Sequence, residues 1–271
     1  MTTKEKQINY AELLKEVTTK EGSLSACYEN FHNFSLLNSL YAMMQMRAMG
    51  LPITPIACGS KWRELNRTIK DTEKYRKIEL CRCGVFQPKD ANGQPMVDDN
   101  GNKIMRKYFK YEKNWYCLAQ TTGDNDFNIN KLNEKYKNTF DFKQMLNKLS
   151  IVIKDFEELN GNVQGYTHCI DNKIAINPMA QHSAMTIIHE VAHVLLHKRS
   201  RKAKEIKELE AETTAYIVGK MLGISENELA NSRGYIQNWY GKGKEIPQDS
   251  ASEIIKTADM IYKAGLKSKG N

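Results

Sequence analysis

The stretch TIIHEVAHVLLH, residues 186–197, decides how the rest of the chain is read. It holds His189-Glu190-Val191-Ala192-His193, an HExxH pattern inside a helical run. Residues four apart on a helix differ by about 40° in direction and about 6 Å in height, so both imidazoles can reach one ion. Glu190, next to the first of them, can then face a fourth coordination position occupied by water. Zn²⁺ lowers the pKa of such a water, and a carboxylate beside it can take the proton as the oxygen attacks an amide carbonyl. A plain surface helix would explain the letters but not the neighbours. His189 and His193 sit among Ile187, Ile188, Val191, Ala192, Val194, Leu195 and Leu196, so the helix is buried, where unligated histidines are costly.

Two histidines and a base need a third ligand. A metzincin supplies a histidine six residues after the second one, but Arg199 stands there, and Leu196 replaces the glycine of that pattern. The following helix offers Glu208-Leu209-Glu210-Ala211-Glu212 instead. Glu208 and Glu212 share a face with Ala211, Ala215 and Gly219, small residues that let this helix approach the first closely. We assign Glu208 as the third ligand and Glu212 as the acceptor that orients one imidazole; the reverse order stays open. His197 lies about 80° round and about 12 Å along from His189, too far to share the ion, and is read as a helix-end histidine. Tyr235 and His168 are weighed as electrophilic helpers and read as structural.

Outward from this centre, a strand pair is expected at 165–176 with its turn at Asp171-Asn172. Helices are expected near 141–149, 183–198, 205–222, 226–240 and 250–264. The N-terminal half carries two helical patterns, at 8–17 and from Ser35 to a stop at Gly50 and Pro52. Strands follow at 76–86 and 104–119, and between them residues 87–103, with turns at Asn92-Gly93 and Asn100-Gly101, read as an exposed hairpin insertion. The polar segment 121–141 marks the boundary.

Of the chain's 271 residues, 40 are Lys or Arg and 32 Asp or Glu, a net charge of +8. Residues 61–113 hold fourteen basic and eight acidic residues, so six of those eight charges fall in one fifth of the chain. Trp62, Tyr75, Tyr108, Phe109, Tyr111, Trp115 and Tyr116 are interleaved with them. Cations tracking phosphates beside aromatic faces that stack on bases is the composition of single-strand nucleic-acid binders. The residues nominated for contact are Arg63, Arg67, Lys70, Lys74, Arg76, Arg106, Tyr108 and Lys110, of which Arg106, Tyr108 and Lys110 share one strand face. Trp62 and Trp115 are read as core. The six cysteines form no CxxC pair and read as reduced thiols of a cytoplasmic protein. No apolar run reaches the roughly 18 residues of a spanning helix, so no membrane partner is expected.

The run GYTHCIDNKIAINPMAQHSAMTIIHEVAHVLLH (165–197), then ELEAETTAYIVGKMLGI (208–224), GYIQNWYGKGKE (234–245) and ASEIIKTADMIY (251–262), resembles the zincin-type metallopeptidase domain of ArdC-like antirestriction proteins. It resembles the ImmA/IrrE type more distantly. FHNFSLLNSLYAMMQ (31–45), SKWRELNRTIKDTEKYRKIEL (60–80) and NWYCLAQTTGD (114–124) are similar, in order and spacing, to that family's single-stranded-DNA-binding domain. Two positions depart from the family's glycines: Asn66, a mild change because asparagine tolerates a left-handed backbone, and Thr72, which does not.

The expectation is therefore an α+β chain of two domains. Residues 1–130 form a mixed α/β module for single-stranded DNA, and 141–271 a mainly helical zincin-like metallopeptidase domain with a small sheet. Zn²⁺ is held by His189, His193 and Glu208, Glu190 is the base, and a protein or peptide substrate lies as an added strand along Tyr166 to Ile176. The resemblance implies protection of a mobile element's or phage's DNA from restriction. Two alternatives stay open: a regulatory zinc endopeptidase cleaving one protein such as a repressor, and a DNA-binding protein that zinc only braces.

Overall fold

The computed structural model describes residues 8–20, 30–31, 34–123, 140–157 and 163–267; most of the expected boundary segment, 124–139, lies outside them. The fold is α+β and divides into two compact units, one of residues 41–123 and one of the described residues up to 40 together with those from 140 onward.

The unit 41–123 carries the C-terminal part of α2 (Leu36–Ala48) and a three-stranded antiparallel sheet. In that sheet β4 (Arg106–Cys117) lies between β1 (Ile56–Cys58) and β3 (Ile78–Phe86). A one-and-a-half-turn helix α3 (Gly59–Glu64) and a two-stranded sheet of β2 (Arg67–Ile69) and β5 (Thr121–Gly123) complete it. The core is built on Trp62, which is fully buried and donates its indole N–H to the Tyr116 carbonyl at 2.9 Å. Trp115, read as core with it, is only half-buried. Asn66 does adopt the left-handed conformation (φ 57°). Thr72 sits in a short 3-10 turn, Asp71–Glu73, without a positive φ, so that position needs no glycine. Residues 87–103 project as two successive tight loops. Asp90 caps Asn92 and Gln94 through their N–H groups, and Asp98 does the same for Asn100 and Asn102.

The larger unit is a helical cluster beside a small sheet. β8 (Lys173–Ile176) is central, parallel to β6 (Val152–Lys154) and antiparallel to β7 (Gly165–His168), which is left as an edge. α5 (Ser183–His197) packs against this sheet and against α6 (Lys204–Met221). Nearly all of α6 from Leu209 on is buried, enclosed also by α7 (Glu226–Gly241) and α8 (Gln248–Gly265). The small residues of α6 act as expected: Ala211 and Ala215 are fully buried, and a Cβ on Gly219 would come within 2.9 Å of the Met185 sulfur on α5. α4 (Phe142–Lys148) packs on α8.

The division of the chain differs from the expected 1–130 and 141–271 at its beginning. α1 (Tyr10–Thr19) packs on α8, burying Leu13, Leu14 and Val17. Gln248 clamps it by accepting from the Ala11 N–H at 2.8 Å and donating to the Ile8 carbonyl at 2.6 Å. An amphipathic helix goes to whatever apolar face is open to it, and here that face is supplied from the far end of the chain.

Candidate metal centre and nucleic-acid surface

α5 and α6 run antiparallel, and the facing residues make one cluster. His189 Nε2 and His193 Nε2 are 3.0 Å apart, and Glu208 Oε2 lies 3.7 Å from the first and 3.5 Å from the second. Donor atoms about 2.0–2.1 Å from a tetrahedral ion are separated by about 3.3–3.4 Å, so the three atoms have the spacing of three corners of one coordination tetrahedron. Among the described residues this is the one group of His, Cys, Asp and Glu with that convergence. The donor set, two imidazoles and one carboxylate, suits a divalent ion.

Glu212 lies on the other side of the first imidazole. Its Oε1 is 3.4 Å from His189 Nδ1, without the alignment of a hydrogen bond, while its Oε2 accepts from the Ser232 hydroxyl at 2.6 Å. Of the two carboxylates, Glu208 is therefore the one that faces both Nε2 atoms. Glu190 is nearly buried, and the Thr167 hydroxyl of β7 is hydrogen-bonded both to its carboxylate and to its main-chain carbonyl. A cavity of about 360 Å³ opens against His189 and Glu190 and is lined by Gln164, Gly165, His182, Glu228 and Ser232 among others. Tyr235 on α7 is partly exposed, and burial together with the Glu208, Glu205 and Glu212 carboxylates raises its pKa.

His197 is the last residue of α5, as the spacing implied, but it does more than end the helix. It is buried, its Nδ1 is 2.9 Å from His193 Nδ1, and its Nε2 is 2.9 Å from Glu210 Oε2. Burial pushes the His197 pKa down against the pull of Glu210. Burial also pushes the Glu210 carboxyl up, but hydrogen bonds from His197 and Lys202 outweigh it and leave the group below the usual carboxylate range.

The expected strand addition narrows to one place. Within Tyr166 to Ile176, β8 is paired on both sides, so among the described residues the edge without a strand partner there is that of β7, Gly165–His168. Gly165 lets that edge approach the helix, since a Cβ there would meet Thr186 Cγ2 at 2.9 Å and Glu190 Cγ at 3.2 Å.

In the unit 41–123 the nominated cations separate into two kinds. Arg67 is tied to Thr121 Oγ1 at 2.8 Å, and Arg76 to Glu73 at 2.7 Å and to the Met49 carbonyl. Arg67 thus ties β2 to β5, and Arg76 ties its own turn to the segment after α2; the Glu73 partner is only three residues away, but the Thr121 hydroxyl and the Met49 carbonyl are remote in the chain and could not be read from spacing. Lys70 donates to the Ala119 carbonyl and Lys74 pairs with Asp71, yet both remain exposed. Arg63 and Lys74 line a groove with Ser60, Asn114 and Tyr116. Farther along β4, Arg106, Tyr108 and Lys110 face the same way as their cross-strand partners Phe86, Gly84 and Arg82. Tyr108 lies across Gly84, where a Cβ would be 2.3 Å from its ring, and still exposes 47% of its surface. Lys110 is paired with Glu112 at 3.2 Å. Phe109, on the opposite face of the strand, is 70% exposed, so this ribbon presents aromatic surface on both sides.

Solved structures similar to this chain include two of the antirestriction ArdC protein from plasmid R388. The metal-free form is 15% identical with a TM-score of 0.45, over 94% of this chain and 97% of that one. The Mn(II)-bound form is 16% identical with a TM-score of 0.49, over 94% and 96%. No family profile matches the sequence, and neither does any curated protein.

What the motif reading missed around the candidate metal centre are Thr167, Glu210 and the pairing of His197. Glu210 had a signal: two residues from Glu208 on a helix is about 200° round, which turns it away from the Glu208 face onto the side shared by the uncharged Ile206, Thr213, Thr214 and Ile217. A glutamate on such a side has to have a partner.

Proposed function

We propose that the chain is a zinc metallopeptidase-type protein that also binds single-stranded DNA, with His189, His193 and Glu208 holding the ion. The observation that carries this is the convergence of the three donor atoms at tetrahedral spacing, with Glu190 on the same helix beside the cavity. When bound, zinc would act as a Lewis acid and lower the pKa of a coordinated water.

The chain's own residues supply the rest. Thr167 holds the Glu190 carboxylate in place, so that it can accept a proton at Oε1 and later return it to a leaving amine. The edge of β7 that has no strand partner among the described residues offers main-chain donors and acceptors to an extended peptide, which fits a substrate added as a strand. Single-strand binding is supported by the exposed ribbon of Arg106, Tyr108, Phe109 and Lys110 and by the groove with Arg63 and Lys74. The antirestriction role, and zinc as the resident ion, are what the sequence resemblance implies.

The test compares wild type with Glu190→Gln on a mixture of peptides, zinc content being measured in both. Cleavage by wild type that vanishes in Glu190→Gln at equal zinc content is expected. Identical products from both, or none from either, would remove hydrolysis and leave an ion that braces the fold.

A further inference from the structure

The residues behind His193 form a chain of hydrogen bonds that ends on a buried carboxylate, and its polarity can be deduced atom by atom. Glu210 is fully buried in α6 and is an acceptor only. Its Oε1 is taken by the Lys202 ammonium at 2.6 Å, and the same ammonium reaches Glu253 at 2.7 Å and Ser250 at 3.3 Å. Its Oε2 lies 2.9 Å from His197 Nε2, which must therefore carry a hydrogen. With one proton on the ring, His197 Nδ1 is a lone pair. That lone pair is 2.9 Å from His193 Nδ1, so the His193 hydrogen has to be on Nδ1. What remains at His193 Nε2 is a lone pair, aimed at the space shared with His189 Nε2 and Glu208 Oε2.

We propose that His197 and Glu210 are positioning residues that fix the ligand-competent tautomer and ring orientation of His193. This rests on the metal-centre reading above. The usual arrangement is a ligand imidazole whose second nitrogen donates directly to a carboxylate or a carbonyl. Here a second imidazole is interposed, and the carboxylate acts from α6 one step removed. His189 has no counterpart to this support among the described residues, where its Nδ1 lacks an aligned partner. The two ligands on α5 are thus unequally held, His193 by a closed chain and His189 by packing and the nearby Glu212 carboxylate. The arrangement also explains why an HExxH segment should run on to a third histidine at i+8 that is too distant to touch the ion. Four residues beyond His193, it lies on the same side of the helix one turn along, where only an orienting contact is possible.

Two measurements decide it. The first is the tautomeric state of both rings in metal-free wild type, read from imidazole ¹⁵N shifts and two-bond couplings. His193 protonated on Nδ1 and His197 on Nε2 is the expected result; the opposite pair, or fast averaging of either ring, overturns the proposal whether or not the chain binds zinc. The second is zinc affinity, by competition against a chromophoric chelator, for wild type, His197→Phe and His197→Asn, with folding checked by circular dichroism. His197→Phe removes the acceptor and should weaken zinc binding by about 10–100-fold. His197→Asn can still accept from His193 Nδ1 through its side-chain oxygen and should recover most of that loss. A folded His197→Phe that binds zinc as wild type does, or an Asn variant as weak as the Phe variant, overturns the proposal while leaving the metal centre intact. Wild type without zinc affinity would instead overturn the metal centre, and the tautomers would still decide the hydrogen-bond chain.

Discussion

Replacing Gly165 with alanine tests how the sheet is set against the motif helix. A Cβ at this position would lie 2.9 Å from Thr186 Cγ2, 3.1 Å from the Ala175 carbonyl oxygen and 3.2 Å from Glu190 Cγ. Ordinary carbon contacts are about 3.5–4.0 Å. The threonine methyl can yield by rotation, but the Ala175 oxygen is main chain of the central strand, whose register to β7 pairs Gly165 with Ile176 and Tyr166 with Ala175. The strand edge must therefore lift from α5, an overpacking cost of about 1–3 kcal/mol. For a domain of this size, each kcal/mol lowers Tm by about 2–4 °C, so a fall of about 2–12 °C is expected in thermal melts. Zinc affinity should change little, because all three donors stand on α5 and α6. Peptide cleavage, where present, should fall further than stability alone explains, since Thr167 moves with the strand and carries its contact with Glu190. A Gly165→Ala protein that melts with wild type would refute the close approach of β7 to the helix and, with it, the reading of that edge as part of the site.

Trp62→Ala empties the centre of the unit 41–123 and should cost about 3–5 kcal/mol in chemical denaturation; a cost below about 1 kcal/mol would mean that the indole is not core. Metal-free protein should lose stability on acidification. The folded-state pKa of His197 lies below its ordinary 6.5 and that of Glu210 below 4.5, so the unfolded chain takes up protons first and stability falls as pH drops below each ordinary value. Melts recorded from pH 8 to 4 should show this decline, and in His197→Phe its upper part should vanish; a stability that rises on going from pH 7 to 6 would contradict it. For single-stranded DNA, Tyr108→Ala should weaken binding by about 1–3 kcal/mol if the ring stacks on a base, with an unchanged salt slope. Arg106→Gln should lower that slope by about 0.7, whereas Arg67→Gln and Arg76→Gln should lower Tm and leave the slope alone; equal slopes for all three would dismiss the ribbon as a contact surface.

The helices around the motif were legible because their apolar periodicity is strong and their ends carry breakers such as Gly223. The strand pair was legible from its turn at Asp171-Asn172 and its alternating residues. β1, β2, β5 and β6 have three residues each, too few for a period to register, and β6 exists only because β8 offers it an edge. The candidate donors His189 and His193 could be grouped because helix geometry fixes i and i+4 without knowledge of the tertiary fold, whereas the approach of Glu208 from α6 depends on packing. His197 and Glu210 could not be paired in advance, because their contact depends on how two helices sit side by side. The same holds for α1, whose apolar face was evident but whose partner, α8, comes more than two hundred residues later.

The convergence of His189, His193 and Glu208 calls for a single bound ion. This is tested most directly by titrating metal-free protein with Zn²⁺ and counting bound metal by mass spectrometry, in wild type and in His193→Ala and Glu208→Ala. One zinc per chain in wild type, strongly weakened in both variants while each stays folded, is the predicted result. Wild type that retains no zinc, or variants that hold it as tightly, would contradict the account.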